Sequence, residues 1–125
     1  MNEGAKIFIV DDNSVARSML RKMLESIGGT RVVGEIGTGQ GAVIMLEEVD
    51  PDIVMLKTNI PGNIKLVDIV TQIKKIKPEV KIILCADNLG MELVMPGIEA
   101  GASDFVSKPY RKELLERSVR QVLAL

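Results

Sequence analysis

Histidine is absent from this chain, and cysteine occurs once, as Cys85. Without histidine there is no Ser-His-Asp triad, no Cys-His pair and none of the usual zinc sites. A single cysteine forbids an intrachain disulfide, which excludes a secreted disulfide scaffold. Aromatic residues make up only 2% of the sequence, so its core must be aliphatic. Unbroken apolar runs such as Ile7-Phe8-Ile9-Val10 fall far short of the roughly 20 residues of a membrane span. Charge of one sign is missing too: 16 basic and 17 acidic residues leave a net charge of −1. Non-specific nucleic-acid binding runs on phosphate neutralisation, and this balance does not supply it. Residues 1–6 include Glu3 and lack the apolar segment of a signal peptide. The expectation is a cytoplasmic domain that contacts neither membrane nor nucleic acid.

What is present suits one globular unit over residues 1–125. Hydrophobic residues are 46% and charged residues 26% of the chain, enough for one aliphatic core. Ile7-Phe8-Ile9-Val10 and Ile53-Val54-Met55-Leu56 are short continuous apolar runs, as strands buried on both faces are. Weaker strands are expected around Val32-Val33, stopping near Ile36, from Lys81 to Leu84 with Cys85 at the end, and at Phe105-Val106.

Between the strands, apolar residues recur at helical spacing. Val15, Met19, Leu20, Met23, Leu24 and Ile27 follow a Ser14 cap and stop at Gly28-Gly29. Ala42, Met45, Leu46 and Val49 end at Asp50-Pro51, and Leu66, Ile69, Val70, Ile73 and Ile76 end before Pro78. Leu115, Val119 and Val122 carry a last helix nearly to Leu125. Leu93, Val94 and Ile98 are spaced for one more, but Pro96-Gly97 falls inside it. An interior proline costs about 3 kcal/mol, so the helix starts at Pro96, is kinked there or is partly unwound, and a short or kinked helix is predicted. Five strands alternating with helices predict a single parallel sheet covered on both faces.

In such folds ligands sit beyond the carboxyl ends of the strands. Asp11 and Asp12 follow the first strand, Lys57 the third, and Lys108 the fifth, while Cys85 ends the fourth. Adjacent carboxylates suit a hard cation such as magnesium, although Asp-Asp-Asn-Ser alone reads more readily as a turn leading into a helix cap. Gly34, Gly37, Gly39 and Gly41 lack the Gly-Lys-Ser/Thr ending of a phosphate loop and read as turn geometry. Lys74, Lys75 and Lys77 sit at a helix C-terminus, where cations offset the dipole.

Five segments, in order, carry a resemblance over essentially the whole chain. They are Ile7-Phe8-Ile9-Val10-Asp11-Asp12, Pro51-Asp52-Ile53-Val54-Met55-Leu56, Ile60-Pro61-Gly62, Ala100-Gly101-Ala102 and Lys108-Pro109-Tyr110. The sequence resembles the receiver domains of two-component response regulators, of the chemotaxis-receiver kind. That resemblance implies an α/β, doubly wound, flavodoxin-like sheet with strand order 2-1-3-4-5 and helices on both faces. It further implies that Asp11 and Asp12 are the magnesium-binding acidic pair and Lys108 the lysine that contacts an incoming phosphoryl group. Phe105 matches an aromatic switch position. Lys57 departs: it stands where receivers carry the phosphate-accepting aspartate. Cys85 stands where they carry threonine or serine, and Lys65 replaces a usual glycine.

Lysine at position 57 changes the charge and the chemistry of such a pocket. Asp11 and Asp12 against Lys57 and Lys108 sum to zero, where a typical receiver pocket carries −2 and needs a divalent cation. A Lys–Asp pair at about 4 Å attracts by roughly 4 kcal/mol at an effective dielectric near 20, largely offset by desolvation. Magnesium binding is therefore expected to be weak at best, with no other cofactor. A protonated amine has no lone pair with which to attack phosphorus.

The reading that follows is a pseudo-receiver, not an enzyme, acting through protein contacts with a signalling kinase, output domain or effector, with a homodimer left open. One alternative keeps phosphorylation at Asp11, Asp12 or Ser107. Another uses Lys57 as an amine nucleophile, and it ranks last because neighbouring carboxylates favour the ammonium. Cys85 reads mainly as a small buried hydrophobe, and only secondarily as a thiolate activated by Lys57 or Lys108.

Overall fold

The computed structural model describes residues 4–124; residues 1–3, in the segment expected to lack a signal peptide, and Leu125, toward which the last helix was expected to run, lie outside them. In chain order the elements are β1 (Ala5–Val10), α1 (Ser14–Ile27), β2 (Thr30–Ile36), α2 (Gly39–Val49), β3 (Ile53–Lys57) and α3 (Leu66–Ile76). They continue with β4 (Lys81–Ala86), a 3-10 turn (Met91–Leu93), α4 (Val94–Ala100), β5 (Asp104–Ser107) and α5 (Lys112–Ala124). The five strands form one sheet in the order β2-β1-β3-β4-β5, and every neighbouring pair is parallel. That is the doubly wound, flavodoxin-like order expected.

Alternation along the strands builds two cores. Phe8, Val10, Val54, Leu56, Ile82 and Leu84 point to one face, against Leu46 of α2 and Ile69 and Ile73 of α3. Ile7, Ile9, Ile53, Met55 and Ile83 point to the other, against Leu20 and Leu24 of α1 and Leu115, Val119 and Val122 of α5. Each of these strand residues is at most 1% exposed. This two-sided burial is why the strands read as continuous apolar runs instead of alternating ones.

Two boundaries differ from the sequence reading. The cap of α1 is Asn13, not Ser14: Asn13 Oδ1 accepts from Ala16 N–H at 2.9 Å, and Ser14 is already helical. Both are good capping residues, and the extended backbone at Asn13 (φ −96°, ψ 115°) decides between them. Helix α4 begins at Val94, two residues before Pro96. Pro96 is thereby in the first turn, where its N–H would have no intrahelical acceptor; the proline does not start the helix, which at 7 residues is short as expected. Gly97 is buried within α4, and a Cβ there would lie 2.6 Å from Leu84 Cδ1. It lets α4 lie close against the sheet. Gly28 and Gly29, at φ 81° and 74°, end α1 in a conformation that side chains resist.

Candidate functional site

Beyond the carboxyl ends of β1, β3 and β5, four charged side chains meet in two ion pairs. Asp11 is only 3% exposed. It tolerates burial because Oδ2 accepts from Lys108 Nζ at 2.7 Å and Oδ1 from the Asn13 N–H at 2.9 Å. The connection that brings Lys108 there carries a cis Lys108–Pro109 bond. Asp12 is at the rim, and its Oδ1 accepts from Lys57 Nζ at 2.7 Å. Lys57 is the last residue of β3 and continues the parity of Ile53 and Met55, so its stem rises from the α1/α5 face of the sheet.

The charges tune one another. The hydrogen bond from Lys57 holds the Asp12 carboxyl below its usual range, against a smaller opposing effect of burial. Burial on its own would lower the pKa of Lys57. The hydrogen bond to Asp12 and the negative charges of Asp12, Asp11 and Asp87 outweigh that and raise it. Lys57 is therefore an ammonium at every physiological pH, a hydrogen-bond donor and not a nucleophile.

Cys85 does not join this cluster. It pairs in register with Lys57 across β3 and β4, but its side chain belongs to the core formed with Val106 and Leu115 and is 2% exposed. Burial pushes the thiol up to about 12, despite the nearby positive charge of Lys108 and a hydrogen bond with Tyr110. An activated thiolate is ruled out by that environment. Phe105 lies on β5 with 43% of its surface exposed. Ser107 is exposed at the end of the same strand.

Three contributors were given no role in the sequence reading, although Tyr110 belongs to one of the segments that carry the resemblance. Arg17 donates from Nη1 to the Asp11 carbonyl, which fixes the backbone that presents both acids. Its position one turn beyond Asn13 was the available signal. Asp87 adds negative charge near Lys57 while capping its own turn through Gly90 N–H at 2.9 Å. Tyr110 packs beneath Lys108, whose ammonium stands 5.9 Å from the ring centroid, and burial raises its phenol well above the ordinary value.

A family model described as the response regulator receiver domain matches residues 7–120. The chain belongs to that family. It is 34% identical over 119 residues to the chemotaxis protein CheY of Thermotoga maritima, covering 95% of this chain and 98% of that one. The protein-glutamate methylesterase/protein-glutamine glutaminase of Treponema pallidum is 31% identical over 109 residues, which are 86% of this chain and 27% of that protein. Among solved structures, a LuxR-family two-component response regulator from Aurantimonas superposes with a TM-score of 0.87 at 27% identity, over 98% of this chain and 86% of that one. The receiver fold seen here is thus shared both by stand-alone relatives of this length and by segments of longer proteins.

Proposed function

We propose that this receiver domain is a pseudo-receiver: a cytoplasmic signalling module that acts by protein–protein contact and does not carry a phosphoryl group. The observation that carries this reading is the ion pair of Lys57 with Asp12 at 2.7 Å, beside that of Lys108 with Asp11 at 2.7 Å. In this reading Lys57 occupies the place of the family's phosphoacceptor carboxylate. Its ammonium has no lone pair for attack on phosphorus, and the two acids hold it in that form. The residues present fit a divalent cation poorly. Magnesium needs oxygen ligands with spare negative charge, and each carboxylate here already accepts from an ammonium. Binding is weak at best, and no other cofactor is called for. The same protonation argues against an enzyme built on Lys57.

With the pocket neutralised internally, its conformation is set by Lys57 and by whatever partner docks: a signalling kinase, an output domain or an effector. Intact mass after incubation with magnesium and a small-molecule phosphodonor tests this. The native chain should gain no adduct, whereas Lys57→Asp should gain one phosphoryl group. An adduct on the native chain overturns the reading and sends the search to Asp11, Asp12 or Ser107.

A further inference from the structure

A groove of about 570 Å³ lies between α1 and the connection from β5 to α5. Its floor is apolar, from Met19, Met23, Pro109 and Tyr110, and Met19 is 60% exposed. Lys22, Lys108 and Lys112 line its edges, with no acidic residue among the lining side chains. Lys108 is held by Asp11, whereas Lys22 and Lys112 enter no ion pair among the described residues. An apolar floor with uncommitted cations at its edge fits an apolar side chain flanked by carboxylates.

The chain carries such a feature on the opposite side of its own sheet. Ile44 of α2 is 74% exposed and available for contact. Glu47 and Glu48 follow it one helical turn later, exposed and without ion-pair partners among the described residues. Helix α2 contains no basic residue at all. Helix α1 packs on one face of the sheet and α2 on the other. A molecule therefore cannot fill its own groove, yet it offers both halves of the contact at once.

We propose that the groove receives the α2 face of a second copy, with Ile44 seated among Met19, Met23 and Tyr110, and Glu47 and Glu48 facing Lys22 and Lys112. Such a contact joins two different surfaces and so runs head to tail, not as a two-fold dimer. One helix face in one groove is smaller than the ~800 Å² per partner of a standard interface, so the association is weak and salt-sensitive. It stands independently of how Lys57 is read.

Sedimentation equilibrium of the full chain up to about 1 mM protein, in roughly 50 mM and then 500 mM salt, tests it. The weight-average mass should rise above 13.6 kDa with concentration at low salt and fall back at high salt. Ile44→Lys removes the knob and leaves the groove; the double variant Lys22→Glu with Lys112→Glu does the reverse. Each alone should bind itself at least tenfold more weakly, whereas their mixture should form a one-to-one dimer and stop there, since only one complementary contact remains. All three positions are surface positions, and Met19→Glu is a second groove variant should the double change disturb folding. A native chain that stays monomeric overturns the proposal, including the case in which the groove takes another protein's helix. Self-association that survives Ile44→Lys, or a mixture that stays monomeric, overturns it too.

Discussion

Lys57 and Asp12 form a pair whose protonation depends on both partners, and its effect on stability can be worked out by sign. The Asp12 carboxyl is held below its ordinary 3.8, so its contribution is complete above that value and is lost as pH falls through the lowered one. Lys57 is raised above 10.5, so its contribution is complete below that value and is lost as pH rises through the raised one. Comparing the native chain with Lys57→Met by urea denaturation across pH should show a constant pair contribution between about pH 4 and pH 10. It should shrink on either side. A contribution that grows on acidification would show that Asp12 is not paired in solution. Cys85 stands in contrast one strand away, where the same positive surroundings fail to make a thiolate because desolvation dominates.

Among the elements, α1 and α4 make the sharpest tests. Asn13→Ala removes the acceptor of the Ala16 N–H and should cost about 1 kcal/mol, while Ser14→Ala, inside the helix, should change stability by less than about 0.5 kcal/mol. Equal losses at both positions would mean that the cap is shared. In α4, Gly97→Ala sets two effects against each other. Alanine gains up to about 1 kcal/mol of helix propensity, but overpacking a tight contact costs about 1–3 kcal/mol. The Leu84 and Leu66 side chains that a new Cβ would meet are themselves buried, at 0% and 6% exposure, and have little room to yield. Steric cost should win, giving a net loss of about 1 kcal/mol in thermal or urea unfolding. A stabilised variant would show that α4 lifts readily from the sheet.

At the scale of the whole molecule, one sheet separates two cores that share its strands. Leu46 fills the core under α2 and α3, and Leu24 fills the core under α1, each fully buried. Either changed to alanine should cost about 2–5 kcal/mol. Because both cores rest on the same five strands, each variant should still unfold in a single transition with an unchanged denaturant slope. Two separate transitions would mean that the faces come apart independently. The sheet also decides where the charged residues meet. Loops from β1, β3 and β5 reach the same edge because all the strands run parallel, and Asp12 meets Lys57 because β1 and β3 are neighbours.

Much of this was legible in the sequence because burial on both faces writes itself as runs such as Ile7–Val10, and an amphipathic helix as a repeating stripe. The strand order came from the resemblance carried by Asp11-Asp12 and Lys108-Pro109, since no local pattern encodes which strand lies beside which. Asp11, Asp12, Lys57 and Lys108 could be assigned to one rim because all four follow or end strands. Which ammonium bonds which carboxylate could not, since that depends on the depth of each stem and on the backbone that Arg17 holds. The sequence likewise could not separate Asn13 from Ser14 as a cap, or show that Pro96 falls in a first turn, because those boundaries rest on backbone angles that the side-chain pattern does not distinguish. Cys85 carries the same lesson. Its place at a strand end is a matter of sequence, but its inertness follows from burial of its short side chain against Val106 and Leu115, on the same face from which the longer Lys57 reaches the rim, and only the folded core removes it from water.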